Sequence, residues 1–243
     1  MGQDLENGKR IAVIHQPEFI PWLGFFNKLN QGDIFVILDD VQFKKNHFEN
    51  RNKIRCNNAQ GWAWISIPVL TKHKHGQKIK DVEISGRNNR RWKEKILNTV
   101  CMSYRKTPYF EDVYELISVS INNDCQKIVE INIGLLMAIL DYLGIEKTIY
   151  IQSRMGVTST KSRLIIDLVQ ATGASIYLSG QSGKTYLEQS KFQEKGLTVQ
   201  YQQFTHPEYT QSHGGFIKGL SIIDLLFNHG KNSIHFIGET NRE

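Results

Sequence analysis

The chain has 243 residues, 40% of them hydrophobic, enough to bury a sizeable core and to exclude global disorder. Its net charge of +6 favours an anionic partner, and Cys56, Cys101 and Cys125 form neither a CxxC pair nor a disulfide framework. No apolar run approaches the roughly 18 residues of a membrane span, and "MGQDLENGKR" is too polar for a signal peptide, so a cytoplasmic protein with no membrane span is expected.

Taken in chain order, "RIAVIHQ" (10–16) reads as a strand, and "PWLGFFNKLNQG" as a helix with Pro21 at its first position and a stop at Gly32. "DIFVILDD" (33–40) and "GWAWISIPVL" (61–70) are further strands, and "DVEIS" (81–85) adds a candidate edge strand. Three helix patterns follow: "NRRWKEKILNTVCMSY", "PYFEDVYELISVSINN" and "KIVEINIGLLMAILDYLGI", the last with apolar residues at helical spacing from Leu135 to Leu143. "KTIYIQS" (147–153), the helix "TKSRLIIDLVQATGA", "ASIYLSG" (174–180) and "LTVQYQQF" (197–204) complete a strand-helix alternation. The apolar "LSIIDLLF" comes next, and "KNSIHFIGETNRE" reads as a tail. This order predicts an α/β fold: one domain over 1–243 with a Rossmann-like, mostly parallel sheet covered by helices and a helical insertion around 88–145.

In such a sheet, ligands bind beyond the carboxyl ends of the strands. His15 ends the first strand, where it can serve as an acid or base or donate a hydrogen bond to a phosphate, or else bond to backbone in the core. Gly24, about 1 kcal/mol less favourable than alanine in a helix, implies that a ligand or another element approaches the backbone there; Trp22 reads as core. Asp39 and Asp40 end the second strand with Gln42 close behind. Alternation lets one carboxylate face the site, the other reading being pairing with Lys44 and Lys45. Arg51, Asn52, Lys53 and Arg55 form a dense donor set suited to a pyrophosphate.

"SGQSGKTYLE" fails the Walker pattern because Leu178 stands where the first glycine belongs. A shorter anion loop from Ser179, Gly180, Ser182, Gly183 and Lys184 stays open. Ser159, Thr160, Lys161 and Arg163 open a helix, where they bind phosphate or simply cap it. His206, Tyr209, Gln211 and His213 lie in a Pro/Gly-rich loop that reads as a lid or substrate wall, and the spacing of its histidines matches no metal pattern. Asp224 on the following apolar helix caps, pairs with a basic loop or faces the site. The basic excess gathers in "KKNHFENRNKIR" and "GRNNRRWKEK" without one long basic face, so a phosphate-bearing metabolite is expected and nucleic acid is not.

"HQPEFIPWLGFFNKL", "DDVQFKKNHFENRNKI", "WISIPV", "STKSR", "YLSGQSGKTYL", "HPEYTQ" and "GLSIIDLLFNHG" together resemble the WbqC-like family of bacterial surface-polysaccharide (O-antigen) gene clusters. The resemblance implies N-acylation or aminoacylation, with glycine as one donor, of an amino group on a nucleotide-linked amino-deoxysugar. His15 or Asp40 would take the proton, with ATP and Mg as candidate cofactors and a homodimer as the candidate assembly. More distantly, "PWLGFF" is similar to the H-x-G-H corner of nucleotidyltransferases and pantothenate synthetase, with Trp22 and Phe25 at the two histidine positions. The alternatives are therefore transfer from a nucleoside triphosphate and non-catalytic binding of a nucleotide sugar.

Overall fold

The computed structural model describes residues 9–86 and 90–238; the N-terminal stretch read above as polar and leaderless lies largely outside them. Five strands make one parallel sheet: β1 (Ile11–His15), β2 (Ile34–Ile37), β5 (Thr148–Ile151), β6 (Ile176–Ser179) and β7 (Thr198–Tyr201), in the order β5-β2-β1-β6-β7. The three inner strands are apolar almost throughout because helices cover both faces, whereas β5 and β7, at the edges, alternate exposed and half-buried residues.

Alternation divides the inner strands between two cores. Val13, Phe35 and Ile37 face a large core, and Ala12, Ile14, Ile34 and Val36 face a smaller one. The smaller core is closed by α5 (Lys161–Ala171) and by Phe192 of α6 (Gln189–Gln193). The larger one is closed by α1 (Leu23–Gln31), by α2 (Arg91–Tyr104), α3 (Phe110–Asn122) and α4 (Ile128–Leu143) of the predicted helical segment, and by α7 (Ile222–His229). The chain leaves β1 toward β2 and β5 and later returns to β6 on its other side. The strand order thus reverses between β1 and β6, and their carboxyl ends flank the crevice where doubly wound folds bind ligands.

Several expectations change. The strand expected over 61–70 is confined to β4 (Trp62–Ser66), and it pairs not with the sheet but antiparallel to β3 (Arg51–Arg55). The charged "RNKIR" hides a strand: Asn52 and Ile54 point inward, leaving Arg51 and Lys53 outside. The 81–85 segment makes only single bridges, from Glu83 to Lys127 and from Ile84 to Val69. The expected tail contains α8 (Ser233–Ile237), with Ile237 fully buried and the side-chain amides of Asn27 and Asn30 donating to the carbonyls of Ile237 (2.7 Å) and Gly238 (2.9 Å). Pro21 precedes α1 instead of opening it, since Trp22, bridged to Ser221, is the N-cap residue.

Candidate functional site

The segment after β1 turns under unusual constraint. Ile20 holds a left-handed backbone (φ 46°), which is costly for a β-branched residue. Its carbonyl accepts from the Asn52 side-chain amide and the Ser221 hydroxyl, both at 2.8 Å, while the Phe19 N–H donates to Phe48 (2.8 Å). Outliers of this kind persist where the surroundings over-determine them.

His15, at the carboxyl end of β1, is half-buried edge-on to Phe25 at 4.9 Å. Its Nδ1–H donates to the Gln16 carbonyl (3.0 Å), which leaves the Nε2 lone pair as the acceptor. Burial first, and Lys28 second, hold the imidazole pKa far below its ordinary value, so the ring is neutral.

Around it lies a group of buried ionisable side chains of which the sequence reading found only His15. Glu18 is 9% exposed, Lys28 5% and Glu49 1%. Glu18 Oε1 lies 3.8 Å from His15 Nδ1, and Glu49 Oε2 lies 3.2 Å from Nδ1 of His47. Burial, reinforced by the Glu49 charge, pushes the Glu18 pKa up to about 8, against the pull of Lys28. Burial lowers Lys28 to about 8, opposed by Glu18, and raises Glu49 against the pull of His47. Asn132 of α4 ties the group together by donating to the carbonyls of Pro17 (3.0 Å) and Glu49 (2.8 Å). Yet Glu18 Oε2, Glu49 Oε1 and Asn132 Oδ1 are buried acceptors with no donor among the described residues. Buried polar atoms are normally satisfied, so three orphans in one group need a reason. The legible signal was Lys28, a charge three residues after Phe25 on the buried face of an amphipathic helix.

The other expected residues divide into available and committed. Asp39 accepts from the N–H (2.9 Å) and hydroxyl (2.6 Å) of Ser153. Asp40 sits between Lys78 (2.9 Å) and Lys80 (2.8 Å); burial alone would raise its pKa, but hydrogen bonds from Lys80 and Lys78 hold it below the usual range, which suits an ion pair better than a base. Gln42 is exposed and bridged to Lys78. The element close to Gly24 is the indole of Trp22, which an added Cβ would meet at 2.2 Å. The donor set of β3 splits, since Asn52 holds Ile20 while Arg55 bonds the carbonyls of Gly61, Ser212, His213 and Gly214. Arg51 and Lys53 lie instead against Trp64 and Trp62.

The expected lid is bolted down. Besides the Arg55 contacts, Gln211 exchanges two hydrogen bonds with Ile217, Tyr209 donates to Asp224 (2.9 Å), and His213 Nε2–H donates to the Ser103 carbonyl (2.9 Å). His206 stacks between Trp22 and Tyr209, with Nδ1–H donating to Pro207 (2.9 Å) and Nε2 accepting from the Gly219 N–H (3.2 Å). Burial lowers its pKa.

At the carboxyl edge beside His15, β6 runs into Gly180 and a tight 3-10 turn over Gln181–Thr185. Ser182 and Lys184 are exposed there, while Ser179 is buried and donates to the Gly180 carbonyl (3.1 Å). A Cβ on Gly183 would strike the Ser179 hydroxyl at 2.1 Å, so this glycine serves packing. Across the edge, Lys161 opens α5 with φ 56°, Thr160 supplies no side-chain cap, and Arg163 is paired with Asp167 (2.7 Å). Among the described residues no group of three or more His, Cys, Asp or Glu side chains could hold a metal, and no helix is long and apolar enough to cross a membrane.

A Mycobacterium tuberculosis protein, described as "Uncharacterized protein Rv1507c", is 30% identical over 231 residues, covering 94% of this chain and 97% of its own. Residues 16–236, from the strained segment after β1 to α8, match the WbqC-like protein family, and the chain belongs to that family.

Proposed function

We propose that this protein transfers an acyl or aminoacyl group, such as glycyl, onto the amine of a nucleotide-linked amino-deoxysugar during surface-polysaccharide assembly. The observation that carries this reading is the trio of donorless acceptors, Glu18 Oε2, Glu49 Oε1 and Asn132 Oδ1, in a buried group beside the crevice. An ammonium has three N–H donors and no acceptor, the complement of such a set.

An ammonium cannot attack a carbonyl carbon, so a proton must leave first. A carboxyl with a pKa of about 8 is well matched to that proton, whereas a neutral His15 of lowered pKa is better suited to orienting the nucleophile through Nε2. Glu18 takes the first proton, the free amine adds to the acyl carbon, and the amide forms as the donor's leaving group departs carrying the amine's second proton. Gly180–Lys184 and the first turn of α5, on the same edge, are assigned to the diphosphate. The nucleotidyl-transfer alternative is less favoured because Trp22 and Phe25 are packing groups, against His206 and His15.

Incubation of the purified protein with dTDP-linked amino sugars, glycine or other acyl donors, and ATP with Mg should add one acyl mass to the sugar nucleotide by mass spectrometry. Glu18→Gln should lower turnover by about 100-fold or more while leaving nucleotide-sugar binding intact. Absence of a mass gain with every donor would overturn the reading.

A further inference from the structure

The outer face of the β3–β4 hairpin carries a cluster that the proposed chemistry leaves unused. Arg51 Cζ lies 4.2 Å from the ring centre of Trp64, and Lys53 Nζ lies 4.4 Å from that of Trp62. Trp64 remains 37% exposed. Beside it runs a groove of about 240 Å³, walled by Trp64, Ser66 and Pro68 on one side and by Trp92, Lys95 and Thr99 of α2 on the other. Among the described residues, two buried donors in this region have no acceptor: Nε1 of Trp92, a residue of the groove wall, and Nε of Arg51, whose guanidinium stacks on Trp64.

We infer that this groove binds a single saccharide ring bearing a carboxylate. A sugar ring has an apolar C–H face that packs on an indole and a rim of hydroxyl oxygens that accept from N–H groups. Trp92 Nε1–H, without an acceptor among the described residues, is a donor that such a rim can satisfy. Lys95 lines the groove, and Arg51 and Lys53 flank Trp64 on the outer face of the hairpin, a cationic surround that selects an acidic sugar over a neutral one. The volume argues for one ring, because sites for drug-sized ligands occupy roughly 300–1,000 Å³. Nucleic acid fits poorly: Trp62 stands edge-on to Trp64 at 89°, so successive bases cannot stack on both. The groove shares no residue with the Glu18 group, so this inference stands or falls apart from the proposed transfer reaction.

The chain has four tryptophans, whose indole N–H signals can be assigned by single Trp→Phe substitutions in ¹⁵N NMR spectra. Titration with methyl β-D-glucuronide should move the Trp64 and Trp92 signals and leave that of Trp22 in place. Methyl β-D-glucoside should bind several-fold more weakly and UMP should not move either signal. Trp64→Ala should weaken glucuronide binding about tenfold. Trp92→Phe keeps the packed ring while removing the donor, and should weaken binding several-fold even if Trp64→Ala folds poorly. Unmoved signals at high glucuronide, equal or tighter binding of UMP, or unchanged affinity in folded Trp92→Phe would each overturn the inference.

Discussion

Two sites that bury carboxylates are furnished very differently. Asp224 on α7 is fully buried and accepts from Tyr104 (3.0 Å) and Tyr209 (2.9 Å), while Tyr104 also accepts from the Arg55 backbone N–H (2.9 Å). Glu18 and Glu49 are buried almost as deeply, yet each keeps an oxygen without a donor among the described residues. A low dielectric makes an unpaired polar atom expensive, so a complete network is a structural joint, whereas an incomplete one awaits something from outside. Asp224 bolts the 204–214 loop to α7 and β3; Glu18 and Glu49 sit next to the crevice.

The sharpest way to break this comparison is to remove each carboxylate. Asp224→Ala removes the acceptor of two hydroxyls, that of buried Tyr104 and that of half-buried Tyr209, so urea denaturation should record a loss of about 3–5 kcal/mol. An effect below about 1 kcal/mol would remove Asp224 from the structural class.

The second expectation concerns pH. Burial raises Glu18 from 4.5 to about 8, so the folded chain binds this proton more tightly than the unfolded one. That contribution is complete below about pH 4.5 and is lost as pH rises to about 8, with a slope of at most about 1.4 kcal/mol per pH unit. Asp224, raised to about 6, adds the same sign below pH 6, and Lys28, lowered from 10.5 to about 8, returns stability between those values. Between pH 6 and 8, Glu18→Gln should therefore flatten the fall in unfolding free energy; parallel curves for the two proteins would exclude Glu18 as its source.

The smallest effect belongs to the surface. Asp40→Asn breaks partly exposed pairs with Lys78 and Lys80, and its stability cost should stay under about 1 kcal/mol by thermal denaturation.

The sheet was legible because its inner strands are nearly continuous apolar runs and its helices carry their apolar residues at helical period. β3 was not, since only Asn52 and Ile54 face inward and the residues around them read as a charge cluster. α8 is too short for its period to register. In the site, His15 stood out because it ends an aliphatic strand. Glu18 and Glu49 gave no comparable signal, for the backbone beside them is tied by Asn132, more than 80 residues further along the chain. Asp40 and Arg55 looked available because their partners, Lys78 and the 212–214 carbonyls, are distant in sequence.

The amide bonds from Asn27 and Asn30 to residues 237 and 238 span 210 and 208 positions. During synthesis, the surface of α1 that α8 will cover must therefore wait until the chain has been made through residue 238. β1 waits likewise for β6, without which it is an open sheet edge. Early intermediates thus expose apolar surface and unpaired strand, and large non-local separations slow folding. Yield in cells should respond more to chaperone supply and to truncation near residue 237 than the stability of the finished fold alone would indicate.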